Sequence, residues 1–346
     1  MFKKGCALLL VLLLTMSLFV GCANQAPQEE KEPTDKQTEE ALKIGMVTDV
    51  GGVHDKAFNQ SAWEGLQRAE KELGIDVGYQ ESKQEADYED NLERLVEQEN
   101  NLVWGVGYIM ANQVKEAALN YPDIKFGIID NTYDEIPKNL QPVIFKDQES
   151  SFLVGYIAGK MTKTNKVGFI GGVKGDVIDR FQYGYMTGVK YANPDCEVLT
   201  QYAGAFDKPA IGRSIAESMY GNGADIIFHA SGDTGNGMIE VAKEKNKYAI
   251  GVDRDQNKEA PDHVITSAIK RVDNAMFNVA KDLKEGKWSG GETTVYGLSE
   301  GGVDIAPTSD KHVPKEILDE VEKLKQKIID GEIKIPQNEE EYKAMK

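Results

Sequence analysis

The stretch Lys43–Leu73, KIGMVTDVGGVHDKAFNQSAWEGLQRAEKEL, carries the reading of the fold. KIGMVTDV is a near-continuous apolar run of strand length, the pattern of a parallel strand covered on both faces. Gly51 and Gly52 break the run, and from Ala57 to Leu73 the apolar residues recur at helical spacing. A buried strand, a glycine loop and an amphipathic helix make one βα unit.

Outward from that unit the pattern repeats. Strands are predicted at DVGYQES, LVWGVGY (102–108), DIKFGIID (123–130) and PVIFKD, with helices at YEDNLERLVEQEN and ANQVKEAALNY between them. A long helix from Ser150 to Lys163 follows, and the series restarts at KVGFIGG (166–172). From there strands CEVLTQYAG, ADIIFHAS, YAIGVD and VITSAIK alternate with helices at FQYGYMTGVKYA, PAIGRSIAESMYGNG and NGMIEVAKEK, and NAMFNVAKDLKEG closes the series as a helix. Such alternation implies α/β architecture, parallel sheets with helices on both faces. Two series, each over about a hundred residues, predict two similar lobes.

In open α/β sheets ligands sit beyond the carboxyl ends of the strands, so the residues ending each strand are the candidates. The first strand ends in Thr48-Asp49, and Asp55, Phe58 and Asn59 open the helix after it; Asp55 also suits a helix N-cap. Other strands end at Gly107-Tyr108, Asp130, Phe206, the Gly232-Asp233 loop, Asp253 and Lys270. Each alone reads equally as a cap, turn or core residue. Together they put carboxylates, one lysine and two aromatic rings on one edge of two sheets. Carboxylates accept pairs of hydroxyl or amine hydrogens, which suits vicinal sugar hydroxyls at Asp253, with Lys270 nearby as a donor. Phe58 and Phe206 are able to sandwich a flat ring, with offset stacking adding about 0.5–1.5 kcal/mol to area burial. A carboxylate such as Asp49 or Asp130 then reads the donor edge of a base, and the combination describes a nucleoside.

The amino terminus bounds the compartment. Lys3 and Lys4 precede a charge-free apolar run, Ala7 to Val20, that ends in Gly21-Cys22. This is the pattern of a secretory leader, shorter than a comfortable membrane span. It resembles a lipobox, with cleavage before Cys22 and a diacylglyceryl group on its sulfur; Phe19 stands where leucine is usual. The alternative is an uncleaved anchor helix with an incidental cysteine. Residues 22–40 have no large apolar side chain and are expected to form a flexible acidic tether.

Of three cysteines, Cys6 leaves with the leader and Cys22 is the lipid site, so Cys196 stands alone and reads as a buried bystander. With four histidines and no CxxC pair, no metal site is expected. The net charge of −17 becomes two units more negative without Lys3 and Lys4, which argues against nucleic acid or anionic lipid as a partner. SGDTGNG and GFIGGVKG match neither GxGxxG nor GxxxxGK[ST], and there is no GxSxG elbow. No cofactor and no catalytic residue are expected.

TDVGGVHDKAFNQSAWEGL, GFIGG, HASGDTGNG, GVDRDQ and TSAIKRVD together resemble the basic membrane protein family of lipoproteins. These are substrate-binding proteins of ABC importers, similar to a purine nucleoside receptor. The resemblance spans roughly Lys43 to Pro307. It implies a type I periplasmic binding protein, two α/β lobes joined by three hinge crossovers, in a monomer that serves an ABC permease from outside the cell membrane. The implied boundaries are 1–21 for the signal peptide, 22–40 for the tether, 41–147 plus about 271–302 for the N-terminal lobe, and 148–270 plus about 303–346 for the C-terminal lobe. Carried over by motif, Phe58 and Phe206 stack on the base, Asp49, Asn59 and Asp130 recognise its edge, Asp253 and Lys270 hold the ribose, and Gly232 permits close backbone approach. Other readings are a receptor for a sugar or a ring-containing vitamin, a nucleoside-hydrolysing enzyme, and a signalling or adhesion lipoprotein without a small ligand.

Overall fold

The computed structural model of the chain describes residues 41–345. The expected signal peptide, the lipid site at Cys22 and the tether lie outside the described residues. The amino-terminal half runs β1 (Lys43–Thr48), α1 (Phe58–Leu73), β2 (Asp76–Gln80), α2 (Asp87–Glu97), β3 (Leu102–Val106), α3 (Ala111–Asn120), β4 (Lys125–Ile129) and β5 (Leu140–Phe145). There follow α4 (Asp147–Met161), β6 (Lys166–Gly171), α5 (Asp176–Ala192), β7 (Glu197–Tyr202), α6 (Pro209–Gly221), β8 (Ile226–Ala230), α7 (Asp233–Glu244), β9 (Tyr248–Asp253) and β10 (Val264–Lys270). The chain ends with α8 (Val272–Lys284), β11 (Thr294–Tyr296), β12 (Val303–Ile305), α9 (Lys315–Ile329) and α10 (Glu339–Ala344).

Two six-stranded sheets result, ordered β11-β5-β4-β3-β1-β2 and β12-β10-β9-β8-β6-β7. Every pairing is parallel except β10 with β12. The chain passes between sheets three times, from β5 into α4, from β10 into α8, and from β11 to β12. This is the two-lobed α/β fold with three crossovers. The central strands β3, β8 and β10 are buried along their whole length, as a parallel strand covered by helices on both faces must be.

The structure departs from the sequence reading at element ends. Helix α4 begins at Asp147, ahead of Ser150, and α5 begins at Asp176, ahead of Phe181. Both extra turns open with acidic residues (Asp147 and Glu149, Asp176 and Asp179), which the helix dipole favours but apolar periodicity does not register. Strand β3 stops at Val106, and Tyr108 enters a short 3₁₀ turn. Strand β7 stops at Tyr202, so Phe206 lies in the loop beyond it. Strands β11 and β12 have three residues each, too few to show a period.

Candidate functional site

The carboxyl ends of strands from both sheets meet in a cleft whose open space, mouth and adjoining solvent included, is about 540 Å³. All eight sequence-derived candidates line it: Asp49, Phe58, Asn59, Asp130, Phe206, Gly232, Asp253 and Lys270. Asp55, Tyr108, Phe181 and Ser231 join them. Asp55 and Tyr108 stand at helix and strand ends in the sequence, and Ser231 closes the expected strand ADIIFHAS beside Gly232 without being singled out; Phe181 carries no signal, because it reads as core within its helix.

One end of the cleft is organised by Asp55. Its Oδ1 accepts the backbone N–H groups of Ala57 and Gln60 at 2.9 and 3.1 Å, and its Oδ2 accepts that of Asn59 at 2.9 Å. These are otherwise orphaned donors at the start of α1; the N-cap position itself is held by Ala57, and Asp55 supplies the capping carboxylate from two residues ahead of it. Asn59 is held just as firmly. Its Nδ2 donates to Asp49 Oδ1 at 2.7 Å and to Asp55 Oδ2 at 3.2 Å, and its Oδ1 accepts the Asp49 N–H at 3.3 Å. Both amide hydrogens are therefore consumed by carboxylates. Asp49 Oδ1 also takes the Gly51 N–H at 2.8 Å. Burial pushes the Asp49 carboxyl up to about 6, and nearby Asp55 adds to the rise against the pull of these hydrogen bonds.

The other end is a buried ionic cluster. Lys270, at the end of β10, is 1 % exposed; its Nζ lies 2.5 Å from Asp130 Oδ2 and 3.1 Å from Asp147 Oδ1. Arg180 of α5 donates from Nε to the other Asp147 oxygen at 3.0 Å, with Nη2 at the same distance as an ion-pair contact only. The rings of Phe58, Phe145 and Phe181 surround the ammonium, with centroids 5.1–5.5 Å away, close enough for cation–π attraction. Burial alone lowers a lysine pKa, but Asp130, Asp147 and Asp253 outweigh it and leave Lys270 above its ordinary value. Burial raises the carboxyls of Asp130 and Asp253, with Lys270 opposing. Both aspartates have left-handed backbones, φ +71° and +63°, a conformation costly enough to mark a functional position. Asp130 Oδ1 is buried with no hydrogen-bond partner among the described residues.

Phe58 opens α1, and Phe206 approaches from the loop after β7. The Phe206 carbonyl accepts the Thr234 N–H at 3.0 Å, while Thr234 Oγ1 donates to the Ala205 carbonyl at 3.1 Å. Gly232, at φ +55°, brings the β8–α7 turn against Phe206. Tyr108 meets the Phe206 ring edge-on, with centroids 6.4 Å apart, and its hydroxyl donates to the Val173 carbonyl across the cleft at 2.9 Å. Further contacts tie the lobes: Arg254 to Glu64 at 2.6 Å, Lys56 to Glu259 at 2.8 Å, and Asn236 Nδ2 to the Asp55 carbonyl at 3.1 Å. The lobes are closed on the cleft.

Among the described residues no cluster of His, Cys, Asp and Glu is arranged to hold a metal ion, and no helix is long and apolar enough to cross a membrane. Cys196 is buried away from the cleft, which pushes its thiol up to about 11.

A two-lobed cleft built from strand ends is the geometry of a solute receptor, and the comparisons agree. The model of the family described as ABC transporter substrate-binding protein PnrA-like matches residues 42–339. The chain belongs to that family. It is similar to Basic membrane protein A of Borreliella burgdorferi, 41 % identical over 97 % of both chains. It is also similar to the ABC transporter nucleoside-binding protein BmpA of Lactococcus lactis, 37 % identical over 96 % of this chain and 99 % of the relative. Among solved structures, a solute-binding protein of an ABC transporter system from Aeropyrum pernix is 30 % identical, with a TM-score of 0.81 over 88 % of this chain and 96 % of that one. This PnrA-like chain is therefore a substrate-binding protein of an ABC transporter, with a small-molecule ligand and a permease as partners, acting outside the cytoplasm.

Proposed function

We propose that this PnrA-like receptor captures a purine nucleoside between its lobes and is tethered to the membrane by a lipid on Cys22. The observation that carries the reading is the arrangement of the cleft. Phe58 and Phe206 reach it from opposite lobes, a carboxylate–amide cluster stands at one end, and an acidic cluster around a single lysine stands at the other. In this reading the rings hold the base. Asp49 Oδ2 accepts an N–H of its edge, with Asn59 fixing the Asp49 carboxylate. Asp253, Lys270 and Asp130, whose Oδ1 is unsatisfied, take the ribose and the remaining polar edge. Gly232 gives the backbone room beside Phe206.

The charge balance supports a nucleoside over a nucleotide. Among the described residues, Asp49, Asp55, Asp130 and Asp253 line the cleft against Lys270 alone, and that lysine is already ion-paired. A phosphate would meet like charge in a desolvated space. The nucleoside-binding name of the Lactococcus lactis relative points the same way. The leader and Cys22 supply the anchor, and residues 22–40 keep the receptor near its permease, raising its local concentration.

The test is a thermal-shift and calorimetric comparison of the mature chain with guanosine, inosine, adenosine, their monophosphates and ribose, with chromatography for free base. Nucleosides are expected to bind tightly and remain intact, and monophosphates to bind far more weakly. A response to ribose but not to nucleosides refutes the purine reading, and release of base refutes the receptor reading. For the anchor, Cys22→Ser is expected to release the protein from the membrane fraction; retention there would refute lipidation at that cysteine.

A further inference from the structure

Beneath the cleft floor lies a buried polar chain that the reading above does not use. His229 on β8 is fully buried, and Ser231 and Gln256 are each 1 % exposed. His229 Nε2 lies 2.9 Å from Gln256 Oε1, and His229 Nδ1 lies 3.4 Å from Ser231 Oγ. Ser231 lines the cleft. Strands β8 and β9 pair in parallel with Phe228 opposite Ile250. Ser231 and Asp253 each follow three residues beyond that pair, side by side at the strand ends.

The direction of every proton in this chain follows from its far end. Gln256 Oε1 also accepts the Val252 N–H at 2.9 Å, so that atom is the amide oxygen and an acceptor. His229 Nε2 must then be the donor. Burial lowers the His229 pKa to about 4, so the ring is neutral near pH 7 and carries one proton, on Nε2. Nδ1 is left as an acceptor, and its partner, the Ser231 hydroxyl, must donate. A Cβ on Gly235 would stand 1.8 Å from Nδ1, so α7 seals the ring edge.

We propose that Ser231 is a specificity-determining residue of the cleft: a hydroxyl polarised by the Gln256–His229 pair so that its oxygen presents only lone pairs and accepts a hydroxyl hydrogen of the bound ligand. The proposal rests on the nucleoside reading and sharpens it. Beside Asp253, Ser231 adds a second acceptor facing the sugar, so the site selects a ribose with its hydroxyls intact over a deoxyribose. The Nδ1···Oγ contact, 3.4 Å long, keeps the serine hydrogen on the ring side and leaves the oxygen's lone pairs for the ligand. His229 and Gln256 act through Ser231 and are positioning residues.

Two measurements test this. The first is calorimetry of wild type and Ser231→Ala with guanosine, 2′-deoxyguanosine and 3′-deoxyguanosine. The variant is expected to bind guanosine about 3- to 10-fold more weakly, the loss of one neutral hydrogen bond. It should bind unchanged whichever deoxynucleoside lacks the hydroxyl that Ser231 accepts. No loss, or an equal loss for all three ligands, overturns the proposal. Wild type that binds none of the three refutes the nucleoside reading itself, a distinct result. The second is nitrogen NMR of the histidines, of which the chain has four, with His229→Asn to assign the signal. His229 is expected to be protonated on Nε2 alone at pH 7. A proton on Nδ1 overturns the proposal regardless of any affinity.

Discussion

Replacing Lys270 with methionine keeps the stem and removes the only cation lining the cleft among the described residues. The ammonium sits 2.5 Å from Asp130 and 3.1 Å from Asp147, almost fully buried, with Asp253 acting on it electrostatically. Deleting one partner of a buried pair costs about 3–5 kcal/mol, because uncompensated charge remains in low dielectric. Unfolding entropy of ~2.1 cal/mol/K per residue over roughly 300 ordered residues makes each kcal/mol worth about 1.6 °C. Lys270→Met should therefore lower the melting temperature of the unliganded protein by about 5–8 °C at pH 7. The pH dependence identifies the cause. Burial already raises Asp130 and Asp253, and loss of the lysine raises them further. Falling pH then neutralises the abandoned carboxylates, so the deficit should shrink from pH 7 to pH 5. Lys270 itself stays charged across that range, its pKa lying above the ordinary lysine value. The assay is scanning calorimetry of both proteins at each pH. A deficit below about 2 °C at pH 7, or an equal deficit at pH 5, would refute the account of a charge cluster held together by one lysine.

Phe58→Ala should weaken nucleoside binding at least about tenfold, since stacking adds to lost burial, while the half-buried position keeps the melting shift small; unchanged affinity by calorimetry refutes the sandwich. Asp49, raised to about 6, must be ionised to accept the N1–H of guanine or hypoxanthine. Guanosine affinity should therefore hold above pH 6 and fall as pH drops below it, and a flat profile from pH 7.5 to 5 removes Asp49 from base recognition. The ion pairs Arg254–Glu64 and Lys56–Glu259 bridge the closed lobes, and exposed pairs of this kind are worth about 0.2–1 kcal/mol each. Glu64→Lys with Glu259→Lys should raise the dissociation rate of nucleoside several-fold, more at low salt; a change confined to the association rate would show that these pairs do not hold the lobes shut.

Much of this architecture is local and was legible in the chain. A buried parallel strand must be apolar on both faces, and the helix packed over it must be amphipathic, so KIGMVTDV and the Ala57–Leu73 periodicity declare a βα unit wherever they occur. Inspection of the strand ends and of the loops and helix starts after them then picked out eight residues, seven with side chains and Gly232, that line one cleft. Asp55 was readable as a cap for the same reason, because capping involves residues only two to five positions apart.

Tertiary structure decided the rest. That Asn59 spends both amide hydrogens on Asp49 and Asp55 depends on β1 and α1 being folded against each other, and periodicity carries no such information. Lys270 meets Asp130 and Asp147 across more than a hundred residues of chain, where the crossovers from β5 and β10 come together. Arg180 and the sequence Ser231, His229 and Gln256 looked like ordinary helix, strand and loop positions. Sequence by itself determined which residues end up at strand ends, because that follows from short-range backbone pattern. Which of them neutralise, orient or leave one another unsatisfied was settled only by the packing of two lobes, because charge and hydrogen bonding act through space rather than along the chain.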